Sequence, residues 1–224
     1  MESLPLSPLR EEARQQRKKN GKRIFHAGKT AETGKKGSGR SIMEGTHHPL
    51  PGNLLEALRF RAAERSDAEA VWQLYRSQLG RSGCAWDESY PARENIADDL
   101  AARALYCLSG GNGLLLGAGT IRHWEEHDSL PFWDPRMTHP CDLMRICTRP
   151  ELQGRGLGAL LLRHLIHAGR DAQYDGMRIL VSRNNLPAIR LYRSAGAVFR
   201  GETRLYEIDW LCCELLFEDL RRTM

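Results

Sequence analysis

The chain has 224 residues, 41% of them hydrophobic, and a formal net charge of +5. That length suits one domain with a tail, and it buries a core without disulfides or structural metals. No stretch approaches the roughly 18 apolar residues of a membrane span, and the N-terminus lacks the apolar run of a secretory leader, so no membrane partner and a cytoplasmic location are expected. The six cysteines (Cys84, Cys107, Cys141, Cys147, Cys212 and Cys213) show no C-x-x-C pair and no metal-ligand spacing, which reads as reduced thiols.

The positive charge is local. Residues 1–50 hold 11 basic and 5 acidic residues, whereas 51–224 hold 22 and 23. All six lysines fall between Lys18 and Lys36. Runs such as Arg17-Lys18-Lys19 and Lys35-Lys36-Gly37 carry too little apolar surface to offset chain entropy, so residues 1–50 read as a disordered basic tail. Either a weak electrostatic hook for nucleic acid or a merely solvated tail fits that composition. The balanced remainder, expected to form a domain over 58–220, argues against nucleic acid as a partner.

In chain order, 60–63 reads as a strand, followed by a helix that Ser66 or Asp67 caps. A second helix is expected over 92–104, with Ile96 and Leu100 four apart. Strands over 104–108 and 114–124 flank Ser109-Gly110-Gly111-Asn112-Gly113, a strong hairpin signal. A loop rich in Trp, Pro and acids spans 125–140. A fourth strand, 142–148, leads through a turn at 150–154 into a helix over 156–173. The fifth strand, 177–182, is apolar enough to be central. A short helix, 187–195, has Pro187 in its first turn and Gly196 at its end. Strands near 198–204 and 210–217 close the order β-α-α-β-β-β-α-β-α-β-β, an α/β chain with a mixed sheet.

The most informative segment is Gln153-Gly154-Arg155-Gly156-Leu157-Gly158-Ala159, between a strand and a helix. Free amides at a helix start, the helix dipole, glycines that admit close approach and one arginine together suit a pyrophosphate. Gly154-x-Gly156-x-x-Ala159 also fits a loose dinucleotide fingerprint. Too few residues follow for a two-half nucleotide fold, and the next strand ends at Arg183-Asn184-Asn185 without an acid for a ribose. A Walker A loop is excluded by the absence of Gly-Lys-Ser/Thr.

Gln153-x-x-Gly156-x-Gly158, together with Asn185-x-x-Ala188-x-x-Leu191-Tyr192-x-x-x-Gly196, resembles the paired signatures of the GNAT N-acetyltransferases. The resemblance covers about 58–217. It implies a centrally splayed mixed sheet flanked by helices, with acetyl-CoA as acyl donor and direct transfer to a primary amine of a small molecule or peptide. It further implies a bulged fourth strand whose residues Ile146, Cys147 and Thr148 hold the pantetheine and thioester carbonyl. Gln153, Gly154, Arg155, Gly156, Leu157 and Gly158 then hold the pyrophosphate, and Asn185 binds the pantetheine or orients Tyr192. Tyr192 matches the acid that protonates the departing thiolate. Asp142, eleven residues before Gln153, matches a fourth-strand base, although as an aspartate it is shorter than the usual glutamate. Leu180 stands where some members carry a fifth-strand glutamate, and Ala197 replaces the usual aromatic after Gly196. No metal is implied, and a homodimer through the C-terminal strands is. The alternative is a catalytically inactive acyl-CoA sensor. Trp86, Trp124 and Trp133 are candidate pocket walls, with core packing as the default reading. Glu125, Glu126 and Asp128 are candidate attractants for a cationic amine, and His123, His164 and His167 are weak candidates.

Overall fold

The computed structural model describes residues 57–222, so the expectation of a disordered tail over 1–50 lies outside the described residues. Among the described residues there are seven strands and four α-helices. The strands are β1 (Arg59–Ala62), β2 (Leu105–Ser109), β3 (Leu115–Arg122), β4 (Pro140–Thr148), β5 (Gly176–Ser182), β6 (Val198–Leu205) and β7 (Ile208–Leu216). The helices are α1 (Ala68–Arg76), α2 (Arg93–Ala101), α3 (Leu157–Asp171) and α4 (Leu186–Ser194). The element order is the one expected.

The helix ends follow local chemistry. Asp67 stands at the N-cap of α1, yet its carboxylate accepts from Arg61 and from the Glu64 amide at 2.7 Å instead of from the helix. It thus closes the 3-10 turn that precedes α1. The second helix stops at Ala101, short of the expected 104, because Arg103 is left-handed with φ +52°. Gln173, at φ +64°, likewise follows the end of α3.

The sheet order is β1-β2-β3-β4-β5-β7-β6, antiparallel except for β4 against β5. β7 is interior and β6 is the edge, as their sequences direct. Cys212, Cys213, Leu215 and Leu216 are buried, while β6 presents Arg200, Glu202 and Arg204. One face packs on α1 and α2 through Val71, Leu74, Tyr75, Ile96 and Ala118. The other packs on α3, whose Leu161 and Leu165 lie against Gly117 and Gly119 of β3. Each such buried leucine contributes roughly 1.5–3 kcal/mol of transfer free energy.

The parallel pair is short. β4 and β5 pair only from Pro140↔Gly176 to Leu143↔Ile179, and their C-terminal halves then diverge. A register shift against β3 between Ala118 and Thr120 lies opposite Arg145 and Ile146, with Arg145 at φ +50°. This bulge twists β4 away from β5.

Candidate active site

The splay leaves the β5-facing edge of β4 without a strand partner from Met144 to Thr148. Ile146, Cys147 and Thr148 lie on this stretch. Cys147 is packed against the α1–α2 core, and burial pushes its thiol well above the ordinary range. A thiol held neutral is no nucleophile. Thr148 is fixed from behind, where its carbonyl accepts from Gln78 Nε2 at 3.2 Å.

The chain then turns directly into α3. Gly154 and Gly156 have φ of +79° and +81°, and a Cβ at either would meet nothing within 4 Å. Among the described residues, no protein acceptor takes the amide N–H groups of 154–159, and α3 has no side-chain cap. Six donors in succession, an open approach and a helix start are the features an anion cradle needs, and Gly154, Arg155, Gly156, Leu157 and Gly158 carry them. Gln153 stands at its edge, where its amide donates to Gln78 Oε1 at 3.4 Å and its carbonyl accepts from Arg81 at 3.2 Å. The sequence reading overlooked Gln78, which ties α1 to both Thr148 and Gln153. A glutamine at a helix end gives no signal of that reach.

Asn185 is the N-cap of α4, its side-chain oxygen accepting from the Ala188 amide at 3.2 Å. Tyr192 lies on the same helix, about two turns further along. Tyr192 is buried, and burial raises its pKa. The phenol thus stays protonated, the form a general acid requires.

Asp142 lies at the paired end of β4, opposite Arg122 and Arg178. It is 1% exposed, and both its oxygens are engaged. Oδ2 accepts from the Trp124 amide at 2.8 Å, and Oδ1 lies 2.6 Å from His127 Nδ1. His127 was not singled out from the sequence. It sits in an acidic loop with no helical or strand periodicity, and only the fold brings it to β4.

The remaining candidates separate. Trp86 packs edge-on to Tyr75 and Tyr90, Trp124 lies under Arg122, and Trp133 donates to the His127 carbonyl at 2.7 Å. Asp128 accepts from Arg178 at 2.5 Å and stands 3.0 Å from His123, while Glu126 accepts from the Tyr206 hydroxyl at 2.5 Å. This acidic loop is therefore pinned to β5 and to the β6–β7 turn, and of the three acids Glu125 shows no side-chain bond among the described residues. His164 stacks on Phe60, and His167 is exposed. Among the described residues, no helix is long and apolar enough to cross a membrane, and no group of three or more His, Cys, Asp or Glu side chains is arranged to hold a metal.

Comparison with known proteins agrees with this geometry. The profile of the Acetyltransferase (GNAT) family matches residues 66–197. The L-amino acid N-acyltransferase MnaT of Escherichia coli is 24% identical over 149 residues, covering 65% of this chain and 82% of that protein. The L-methionine sulfoximine/L-methionine sulfone acetyltransferase of Salmonella typhimurium is 24% identical over 143 residues, covering 62% and 79%. Among solved structures, a GNAT-family acetyltransferase from Streptococcus agalactiae superposes with a TM-score of 0.60 at 19% identity, covering 73% of this chain and 98% of that one. The putative acetyltransferase yncA of Salmonella typhimurium, solved with its cofactor acetyl-CoA, gives 0.57 at 19% identity, covering 71% and 94%.

Proposed function

This chain belongs to the GNAT acetyltransferase family, and from that premise we propose that residues 58–220 transfer an acetyl group from acetyl-CoA to the primary amine of a small molecule or peptide. One observation carries the reading. The β4 edge freed at Leu143↔Ile179 runs straight into the run of unpaired amides at 154–159. An anion anchored at that turn leaves an extended acyl arm free to add along β4 as a missing strand would.

Arg155 supplies a supporting charge for the pyrophosphate. Amides of Ile146, Cys147 and Thr148 are the donors for the arm and for the thioester oxygen as it gains negative charge. The amine attacks the thioester carbon directly, a route supported by the half-buried Cys147 thiol, whose pKa is raised by desolvation so that it stays neutral. Tyr192 gives its proton to the departing thiolate, and Asp142 belongs to the path that removes protons from the amine. The names of the two curated relatives make free amino acids the first acceptors to try.

The test is thiol release from acetyl-CoA with L-amino acids, L-methionine sulfone, polyamines and short peptides as acceptors. Release above background with one class is expected. Tyr192→Phe is expected to lower kcat about 10²-fold while leaving acetyl-CoA affinity unchanged. Acetyl-CoA binding with no release across the panel favours a sensor and overturns the transferase reading.

A further inference from the structure

We propose that His127 is the group that takes the proton from the acceptor amine, and that Asp142 is a positioning residue behind it. This assignment rests on the transferase reading above.

Asp142 itself has no room for an amine. It is 1% exposed, with one oxygen on the Trp124 amide and the other on His127 Nδ1. An ionised carboxylate only accepts, so the proton of the neutral ring stays on Nδ1 and the lone pair stays on Nε2. Nε2 has no protein partner among the described residues, and the side chain is 12% exposed. The ring is therefore the part of this pair that a substrate can reach.

Its carrier segment is fixed in place. The His127 amide donates to the Trp124 carbonyl at 3.0 Å. Its own carbonyl accepts from Trp133 Nε1 at 2.7 Å and from the Leu130 amide at 3.2 Å. Apart from Glu125, whose side chain shows no bond among the described residues, the charges on neighbouring elements are engaged elsewhere. On its own loop, Glu126 is taken by Tyr206, and Asp128 by Arg178 of β5 and His123. Glu214 of β7 is taken by Arg200, and Arg122 at the end of β3 lies over Trp124 and 3.8 Å from Asp99. Asp142 is the carboxylate that holds the ring, 2.6 Å from Nδ1.

The pair also lies at the closed end of the β4–β5 splay, Asp142↔Arg178 being one register before the last β4–β5 pair. The amide turn is at the open end, so an arm anchored there runs toward the dyad.

The steps balance. Nε2 takes a proton from the alkylammonium, giving an imidazolium paired with Asp142. The freed lone pair forms the C–N bond to the thioester carbon. Collapse of the adduct breaks the C–S bond, and the thiolate takes the Tyr192 proton. The nitrogen loses its surplus proton to solvent, from which Tyr192 is reprotonated, and the imidazolium returns its proton to solvent. Ammonium and thioester become amide, thiol and one released proton.

The experiment uses the full chain with acetyl-CoA and whichever of L-methionine, L-methionine sulfone, spermidine or glycylglycine the wild type acetylates fastest. His127→Asn keeps a donor for Asp142 and removes the base. We expect unchanged acetyl-CoA affinity and melting temperature, with kcat/KM lower by about 10²-fold. Imidazole added to the buffer restores part of the lost rate. Asp142→Asn is also slower, and the double variant is no slower than His127→Asn alone, as for residues acting in series. A His127→Asn enzyme with wild-type turnover overturns the assignment, as does one that loses acetyl-CoA affinity and thermal stability in step with rate. A wild type that binds acetyl-CoA and acetylates none of the wider panel overturns the transferase reading itself, which separates the two failures.

Discussion

At the scale of single residues, the feature that shapes the site is a buried ion pair behind it. Arg145 occupies the left-handed position of the β4 bulge, and its guanidinium reaches Asp99 of α2 through Nε at 2.9 Å and Nη2 at 2.6 Å. Thr120 adds a third bond to Asp99 at 2.8 Å, and Arg145 Nη1 donates to the Tyr90 hydroxyl at 3.1 Å. A strained backbone position persists when its surroundings over-determine it, and this network fixes the bulge that opens the splay. Asp99→Ala leaves the Arg145 charge buried and unpaired. We expect a loss of about 3–5 kcal/mol in urea unfolding. Neither residue stood out in the sequence, since an aspartate and an arginine 46 positions apart carry no mark of their pairing.

At the scale of elements, the start of α3 shows how a glycine's meaning depends on its φ. Gly156, at φ +81°, has open space where a Cβ would go, so Gly156→Ala clashes with nothing. It still forces an L-residue into the left-handed region, and thermal or chemical unfolding is expected to register a loss of about 1–2 kcal/mol. Gly158 is helical, and its Cβ would make only an ordinary 3.6 Å contact with Leu191. Gly158→Ala is therefore expected to leave stability unchanged or raise it by up to about 1 kcal/mol. Its acetyl-CoA affinity, measured by calorimetry, is expected to fall, because the new methyl stands at the anion cradle. Equal affinity in the two proteins would remove Gly158 from the cradle. The spacing of these glycines was legible because a strand–turn–helix anion site is a local device. Gly117 and Gly119 on β3 were not, because their reason is the close approach of Leu161 and Leu165 on α3.

At the scale of the whole molecule, the 125–140 loop is clamped to the β6–β7 end of the sheet by charge. Asp134 bonds Arg136 and Arg200, Arg136 reaches Glu218 and Asp219, and Arg200 also holds Glu214. The Arg136 side chain first, then its amide and the Arg200 charge, lower the Asp134 pKa from 3.8 to about 2. Asp67, Asp128 and Glu151 are lowered too. A carboxyl depressed on folding stabilises above its unfolded pKa and loses that contribution as pH falls through the folded one. The melting temperature is therefore expected to drop between about pH 4 and pH 2. Asp134→Asn is expected to flatten part of that drop, and an unchanged slope would show that the clamp contributes nothing.

The sequence by itself determined the order of eleven elements, the interior place of β5 and the glycine turn before α3. All of these rest on contacts between near neighbours or on hydrophobic period, which the chain writes locally. Only the tertiary structure decided where β4 and β5 part, how Asp99 and Gln78 brace the bulge and the turn, and that Asp142 meets His127. Those depend on side chains 15 to 70 positions apart arriving within hydrogen-bond distance. No periodicity encodes such meetings, because the free energy that selects them exists only once the sheet has closed over them.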